Sequence, residues 1–356
     1  MHAELNRKNS QAFGAKELSG NREGGAQPLE TLLKTAAESP AAASDIACRL
    51  LVGRDAPHLP ADGMALLERA ALQNEPGALC TLATLRAAGA WTHQSWPEAL
   101  DLLQRAAIAG SADARAQICL IASDRALARA ACEAGTDSDV WRRLCQSIDL
   151  HAFVAPPPPV QVLQSPRAWT VTDFATPELC AWLIGRSAGK LKPAKMRDAT
   201  TGIASALDTR TCSDFVFDIV QGGIVMLLLR TKISAAVSIP VPHMEPPQIF
   251  HYAVGQEIKA HFDFVFDGKH PYGQDGTYTG DRLVTFLLYL NDGYDGGELE
   301  FPKAGYRYKG RIGDGIFFAS QREGKPDRMS LHAGRPVTRG EKYVLSQWIH
   351  NQPFRA

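Results

Sequence analysis

The sequence predicts a multi-domain protein of class α plus α+β, with an all-helical N-terminal half and a C-terminal half of short strands flanked by helices. Three observations carry this. Residues 28–150 are rich in Ala and Leu at helical spacing and nearly free of the β-branched and aromatic alternation that marks strands. Ala155 is then followed by four consecutive prolines, Pro156 to Pro159, which cannot continue a helix and favour extended polyproline II. Beyond them, segments 248–266, 283–290, 298–301, 312–319, 329–332 and 342–350 are short, β-branched or aromatic, and bounded by Gly, Asp and Pro, the grammar of a sandwich or jelly roll.

With 356 residues and 45% apolar content the chain has room for about two domains with real cores. The expected division is a flexible polar arm over 1–28, a helical region over 29–154, a proline-rich linker over 155–165 and a sheet domain over 166–356. Each half is expected to fold on its own core. Lys plus Arg equals Asp plus Glu at 38 each, so no overall field draws the protein to nucleic acid or an anionic membrane. The longest apolar run, Ile224 to Leu229, is too short to span a bilayer, and no transmembrane segment is expected. Cys48, Cys80, Cys119, Cys132, Cys145, Cys180 and Cys212 are scattered without a CxxC pair, which fits reduced thiols in a cytoplasmic protein.

Within the helical half, Ala61 to Ala78 aligns with Ser95 to Ala114, and Arg69-Ala70-Ala71 recurs as Arg105-Ala106-Ala107 after 36 residues. Small Ala70, Ala71, Ala106 and Ala107 would let helices approach while Leu66, Leu67, Leu102 and Leu103 fill the seam. This pattern resembles Sel-like repeats, relatives of tetratricopeptide repeats, and becomes degenerate after Ile118; an irregular Ala-rich bundle is the alternative. In the second half, Thr176-Pro177-Glu178 supplies an N-cap, an N1 proline and an early acid for a helix through about Ile184, and a further helix is expected from about Asp214 to Lys232, weakened at Gly222-Gly223.

The chemistry concentrates in KAHFDFVFDG, where His261 and Asp263 lie two apart in an apparent strand and so share a face. A related HxE, His243-Met244-Glu245, sits between prolines without a strand to hold it. His332 follows later, beside a turn, with Lys342 ten residues on in another strand. Two imidazoles and one carboxylate form the facial triad that suits non-haem Fe(II) and leaves coordination positions open for a keto acid and dioxygen.

Four ordered segments, YAVGQEIKAHFD, DRLVTFLLYLNDGYDGGELEF, GRIGDGIFF and SLHAGRPVTRGEKYVLSQW, resemble the prolyl 4-hydroxylase-like branch of the Fe(II)- and 2-oxoglutarate-dependent oxygenases across about Val160 to Trp348. The resemblance implies a double-stranded β-helix, a metal site of His261, Asp263 and His332, and a salt bridge from Lys342 to the outer carboxylate of 2-oxoglutarate. Tyr252 and Thr285 would add hydroxyl contacts to that co-substrate, with dioxygen as second co-substrate and ascorbate as reductant. Glu245 and Trp348 align with positions that face the target residue. One departure stands out: GQxYxxH in the family has a tyrosine where this chain has Ile258. The implied activity is hydroxylation of a protein or peptide side chain, proline favoured, with the helical repeats recognising the partner. Hydroxylation of a free amino acid or small metabolite, and an inactive scaffold or sensor, are the alternatives. Gly296-Gly297 and Gly313-Asp314-Gly315 read as tight turns, and the Gly-rich stretch Asp267 to Asp281, which contains His270, as a lid over substrate or a merely mobile loop.

Overall fold

The computed structural model describes residues 27–133, 137–194, 196–197, 204–205, 211–264 and 280–354. The chain forms two compact units. The first holds the residues up to Ala155 together with Asp218–Thr231; the second holds Pro156–Phe217 and the chain from Lys232 onward.

The helical unit is built from short, well-capped helices. Pro60–Leu72 and Pro76–Ala88 are followed by Trp96–Ile108 and Ala112–Ile121, starting again after the same 36-residue interval seen in the sequence. Ser95 and Ser111 accept hydrogen bonds from Glu98 N and Ala114 N, and Gly89 ends its helix at φ 70°, a left-handed conformation natural to glycine. Ala70, Ala71, Ala106 and Ala107 are buried, as are Leu67 and Leu103, because a methyl at each contact lets helix axes approach. Further helices at Arg125–Glu133, Ser138–Gln146 and Leu150–Val154 lack that period.

One late segment also belongs to this unit. The helix Ile219–Val237 breaks its own geometry at Gly223, where φ is 63° and ψ −179°, a region open essentially to glycine alone. The freed Ile224 N donates to Oε1 of fully buried Gln117 at 2.8 Å, while Gln117 Nε2 donates to Asp113 Oδ2 at 3.0 Å. A helix was expected over 214–232; instead Ser213–Val216 is a strand paired with Gln248–His251, and the helix starts five residues later, where the Asp218 carboxylate accepts from Gln221 N. At 19 residues this helix is also long and apolar enough to cross a membrane, contrary to the expectation from the short run Ile224 to Leu229. Its Ile224, Val225, Leu228, Leu229 and Ile233 are buried, the mark of a core helix, and composition alone does not distinguish the two.

The second unit is sheet-rich. An eight-stranded antiparallel sheet runs in the order Val160–Gln164, Arg167–Val171, Gly315–Ala319, Arg282–Tyr289, Lys342–His350, Gln248–Tyr252, Ser213–Val216, Lys192–Pro193. A four-stranded sheet joins Tyr306–Tyr308, Leu299–Phe301, His332–Gly334 and Ile258–His261. Thr176 caps the helix Pro177–Ser187 through Leu179 N. The supposed linker over 155–165 is extended only as far as Pro159, since Val160–Gln164 pairs with Arg167–Val171. The apparent strand 248–266 is two strands, because the chain turns at Gly255, φ 81°. Gly313 is required as glycine, as a Cβ there would stand 2.1 Å from the Ala175 carbonyl oxygen. Of the proposed lid, Asp267 to Asp281, residues 267–279 with His270 lie outside the described residues.

Candidate metal centre

The site is assembled across the two sheets of the second unit. His261 ends its strand directly opposite His332 in the ladder of the small sheet. Asp263 lies just beyond the last paired residue rather than within the strand, so the bend after His261, not strand alternation, brings its carboxylate back. Ligand atoms of His261, Asp263 and His332 all lie within 4.8 Å of one another, the one such cluster among the described residues.

Both rings are oriented by the same local device. Nδ1 of His261 lies 2.9 Å from the Lys259 carbonyl, and Nδ1 of His332 lies 2.9 Å from the Ser330 carbonyl, each two residues back. A carbonyl can only accept, so Nδ1 carries the proton in each ring and Nε2 presents a lone pair. Those Nε2 atoms face Asp263, at 3.6 Å from Oδ1 and 3.6 Å from Oδ2 respectively. Burial alone would push the Asp263 carboxyl up, but His332 and His261 in their protonated forms, with Arg282 adding, hold it well below the usual carboxylate range. Two Nε2 lone pairs and an ionised carboxylate aimed at one point fit a divalent cation, and this donor set suits Fe(II).

The large sheet supplies the facing wall. Along Lys342–His350 the alternate residues Lys342, Val344, Ser346 and Trp348 line the same cavity as the triad, as do Tyr252, Thr285 and Ile258. Thr285 does something the sequence did not suggest: its hydroxyl donates to Asp263 Oδ2 at 2.5 Å, fixing a metal ligand instead of pointing free into the cavity. Lys342 is 5% exposed, and its ammonium donates to the Gly297 carbonyl at 2.8 Å. Among the described residues no carboxylate forms an ion pair with it. Burial pushes Lys342 down to about 8, with Glu298 partly countering. A buried cation without a directly paired carboxylate is costly unless an anionic ligand completes it, and 2-oxoglutarate carries two carboxylates.

Glu245 is absent from the cavity lining. It is 2% exposed, and its carboxylate is engaged by Arg282 Nε at 2.5 Å, Arg282 Nη2 at 3.0 Å and His350 Nε2 at 2.7 Å. Burial would raise this carboxyl, yet Arg282 and His350 hold it at about 2. The same guanidinium lies 4.0 Å from the centre of the Trp348 ring, so Glu245 acts on the cavity wall through Arg282. Arg282 and His350 were not singled out from sequence. His350 could have been, since it continues the alternation 342, 344, 346, 348; Arg282 gave no local signal.

Comparison with known proteins finds relatives of the second half of the chain. Residues 247–350 match the family model described as the 2OG-Fe(II) oxygenase superfamily. Probable prolyl 4-hydroxylase 9 of Arabidopsis thaliana is 36% identical over 214 residues, which span 54% of this chain and 72% of that protein. Probable prolyl 4-hydroxylase 6 of the same plant is 33% identical over the same shares of each. A crystal structure of a viral collagen prolyl hydroxylase from Paramecium Bursaria Chlorella virus-1, in complex with 2OG, is 25% identical and covers 51% of this chain and 95% of its own, with a TM-score of 0.40. The chain belongs to the 2OG-Fe(II) oxygenase superfamily, among the relatives of the prolyl 4-hydroxylases. It is a dioxygenase that uses Fe(II), 2-oxoglutarate and O2.

Proposed function

We propose that this chain is a prolyl hydroxylase acting on a protein or peptide, with His261, Asp263 and His332 as iron ligands and Lys342 as the anchor of 2-oxoglutarate. The observation that carries the reading is the buried, carboxylate-free ammonium of Lys342 facing the same cavity as the triad. Bound Fe(II) supplies the coupling of 2-oxoglutarate decarboxylation by O2 to insertion of one oxygen atom into a substrate C–H bond. The protein's own share is positional. Lys259 and Ser330 carbonyls aim the imidazoles, Thr285 holds the carboxylate, and the apolar wall of Phe250, Val344 and Trp348 limits water. Proline as target is supported by relatives named prolyl 4-hydroxylases that this chain matches over 72% of their length.

In this reading the second unit is a double-stranded β-helix, and the 36-residue helical period is a Sel-like repeat surface that binds the macromolecular substrate. Ile258 favours a second reading, hydroxylation of a free amino acid or small metabolite, because it lines the cavity where the resemblance leads one to expect tyrosine. Two measurements test these. Anaerobic addition of Fe(II) and 2-oxoglutarate should produce a weak visible charge-transfer band. Turnover with ascorbate, O2 and a panel of proline-containing peptides, read by mass spectrometry, should add one oxygen to proline. The band without any peptide oxidation, alongside oxidation of a free amino acid, would select the second reading.

A further inference from the structure

The Lys342 ammonium is surrounded by tyrosines. Its Nζ lies 5.2 Å from the centre of the Tyr252 ring and 5.4 Å from that of Tyr289. A third, Tyr294, flanks the same lysine: a Cβ at Gly297 would stand 3.0 Å from Tyr294 Cε2 and 3.2 Å from Lys342 Cδ, so the ring edge that bears the phenol and the lysine stem border one glycine. Gly297 can remain bare because its φ is 68°.

The hydroxyls differ. That of Tyr289 faces the Tyr308 carbonyl at 3.5 Å. That of Tyr294 has no hydrogen-bond partner among the described residues, although the residue is only 1% exposed. Its ring is held firmly, in one core cluster with Tyr252, Ile258, Val344 and Trp348, and with the Lys309 ammonium 4.5 Å from its centre. Buried polar atoms are nearly always satisfied; among the described residues seven buried side-chain atoms lack a hydrogen-bond partner, and the Tyr294 hydroxyl is the phenol among them, on a ring that borders the stem of a buried cation. Burial, with Glu298 adding, pushes the Tyr294 phenol up, so it stays a neutral donor at physiological pH.

We infer that the Tyr294 hydroxyl donates to the outer carboxylate of 2-oxoglutarate, beside Lys342. The inference rests on the function proposed above. A carboxylate offers about four lone-pair sites, and the Lys342 ammonium, one proton already on Gly297, cannot satisfy them alone. Tyr294 lies in DGYDGGE, a stretch that the sequence marked only as a glycine turn.

The test is equilibrium binding by calorimetry to the Mn(II)-loaded protein without oxygen, with two probes: 2-oxoglutarate, and 2-oxobutanoate, which lacks the outer carboxylate. Tyr294→Phe should weaken 2-oxoglutarate about tenfold and leave 2-oxobutanoate unchanged, since a hydrogen bond to a charged group is lost only with the first. Because the substitution deletes an atom with no partner, the ligand-free melting temperature should stay equal or rise. Equal weakening of both probes, or none, overturns the role of Tyr294 while Lys342→Ala still abolishes the preference for 2-oxoglutarate. If the unaltered protein does not prefer 2-oxoglutarate, the proposed function falls and the inference with it.

Discussion

The Thr285 hydroxyl and the Asp263 carboxylate are joined by a 2.5 Å hydrogen bond that leads from the large sheet to the metal-binding end of the small one. Partners of this kind orient a ligand, and losing one typically costs about 10–100-fold in metal affinity. Thr285→Val should therefore weaken Fe(II) or Mn(II) binding by that order, and Thr285→Ser should restore most of it. If Thr285→Val instead leaves metal affinity intact and raises only the 2-oxoglutarate KM, the hydroxyl serves the co-substrate directly.

Lys342 predicts a pH dependence. Its folded value, about 8, lies below the ordinary 10.5, so the unfolded chain binds more protons between these values, and in the ligand-free protein this group adds stability as pH rises through that window. Co-substrate binding runs the other way, because the carboxylate needs the ammonium. The kcat/KM for 2-oxoglutarate should fall above about pH 8 with a one-proton slope. Lys342→Arg should remove that limb even where it lowers the plateau, since a guanidinium stays charged. A flat wild-type profile up to pH 9.5 would show another group anchoring the co-substrate.

Glu245 predicts an asymmetry between single and double substitutions. Glu245→Ala leaves the Arg282 guanidinium without its carboxylate and should destabilise by about 3–5 kcal/mol, whereas Glu245→Leu with Arg282→Met should cost less. The Glu245 carboxyl is held at about 2 against an ordinary 4.5, so its contribution is complete above pH 4.5 and disappears as pH falls to about 2. Chemical denaturation of the three proteins at pH 7 and pH 3 measures both effects; a double variant worse than the single would refute the pairing.

How much of this could be read from the residues alone depended on the range of the interactions. That His261, Asp263, His332 and Lys342 meet at one cavity was legible because each stands in a strand or turn motif with its own ordered spacing. Asp263 was expected within the strand, but it lies past it and is brought beside His261 and His332 by the bend after His261. The partner of Thr285, 22 residues away, and that of Glu245, 37 residues away, depend on which strands meet, and no local period encodes that. The strand Ser213–Val216 was read as helix because Phe215, Val216 and Phe217 continue an apolar run whose β pairing with Gln248–His251 is set far along the chain.

Gln117 predicts that the two units are not separable at the prolines. Gln117→Ala removes the acceptor for Ile224 N in a buried position and should cost about 1–3 kcal/mol. A protein beginning near Ala155 keeps Asp218–Thr231 but loses the rest of its unit, so it should aggregate, although the sequence suggested an independent fold. Size-exclusion chromatography decides; a soluble, 2-oxoglutarate-binding product would mean that this helix finds a substitute core.

The return of Asp218–Thr231 to the helical unit also sets an order in time. As the chain leaves the ribosome, the helices through Val154 are complete before Ile224, Val225, Leu228 and Leu229 exist, so their shared core stays unfinished while some sixty residues of the oxygenase are made. During that interval Gln117 Oε1, fully buried in the finished unit, lacks the Ile224 N–H that satisfies it. Ribosome stalling before Gly223 should accordingly hold the first unit in a protease-sensitive state, and stalling once Val237 has cleared the exit tunnel should release it.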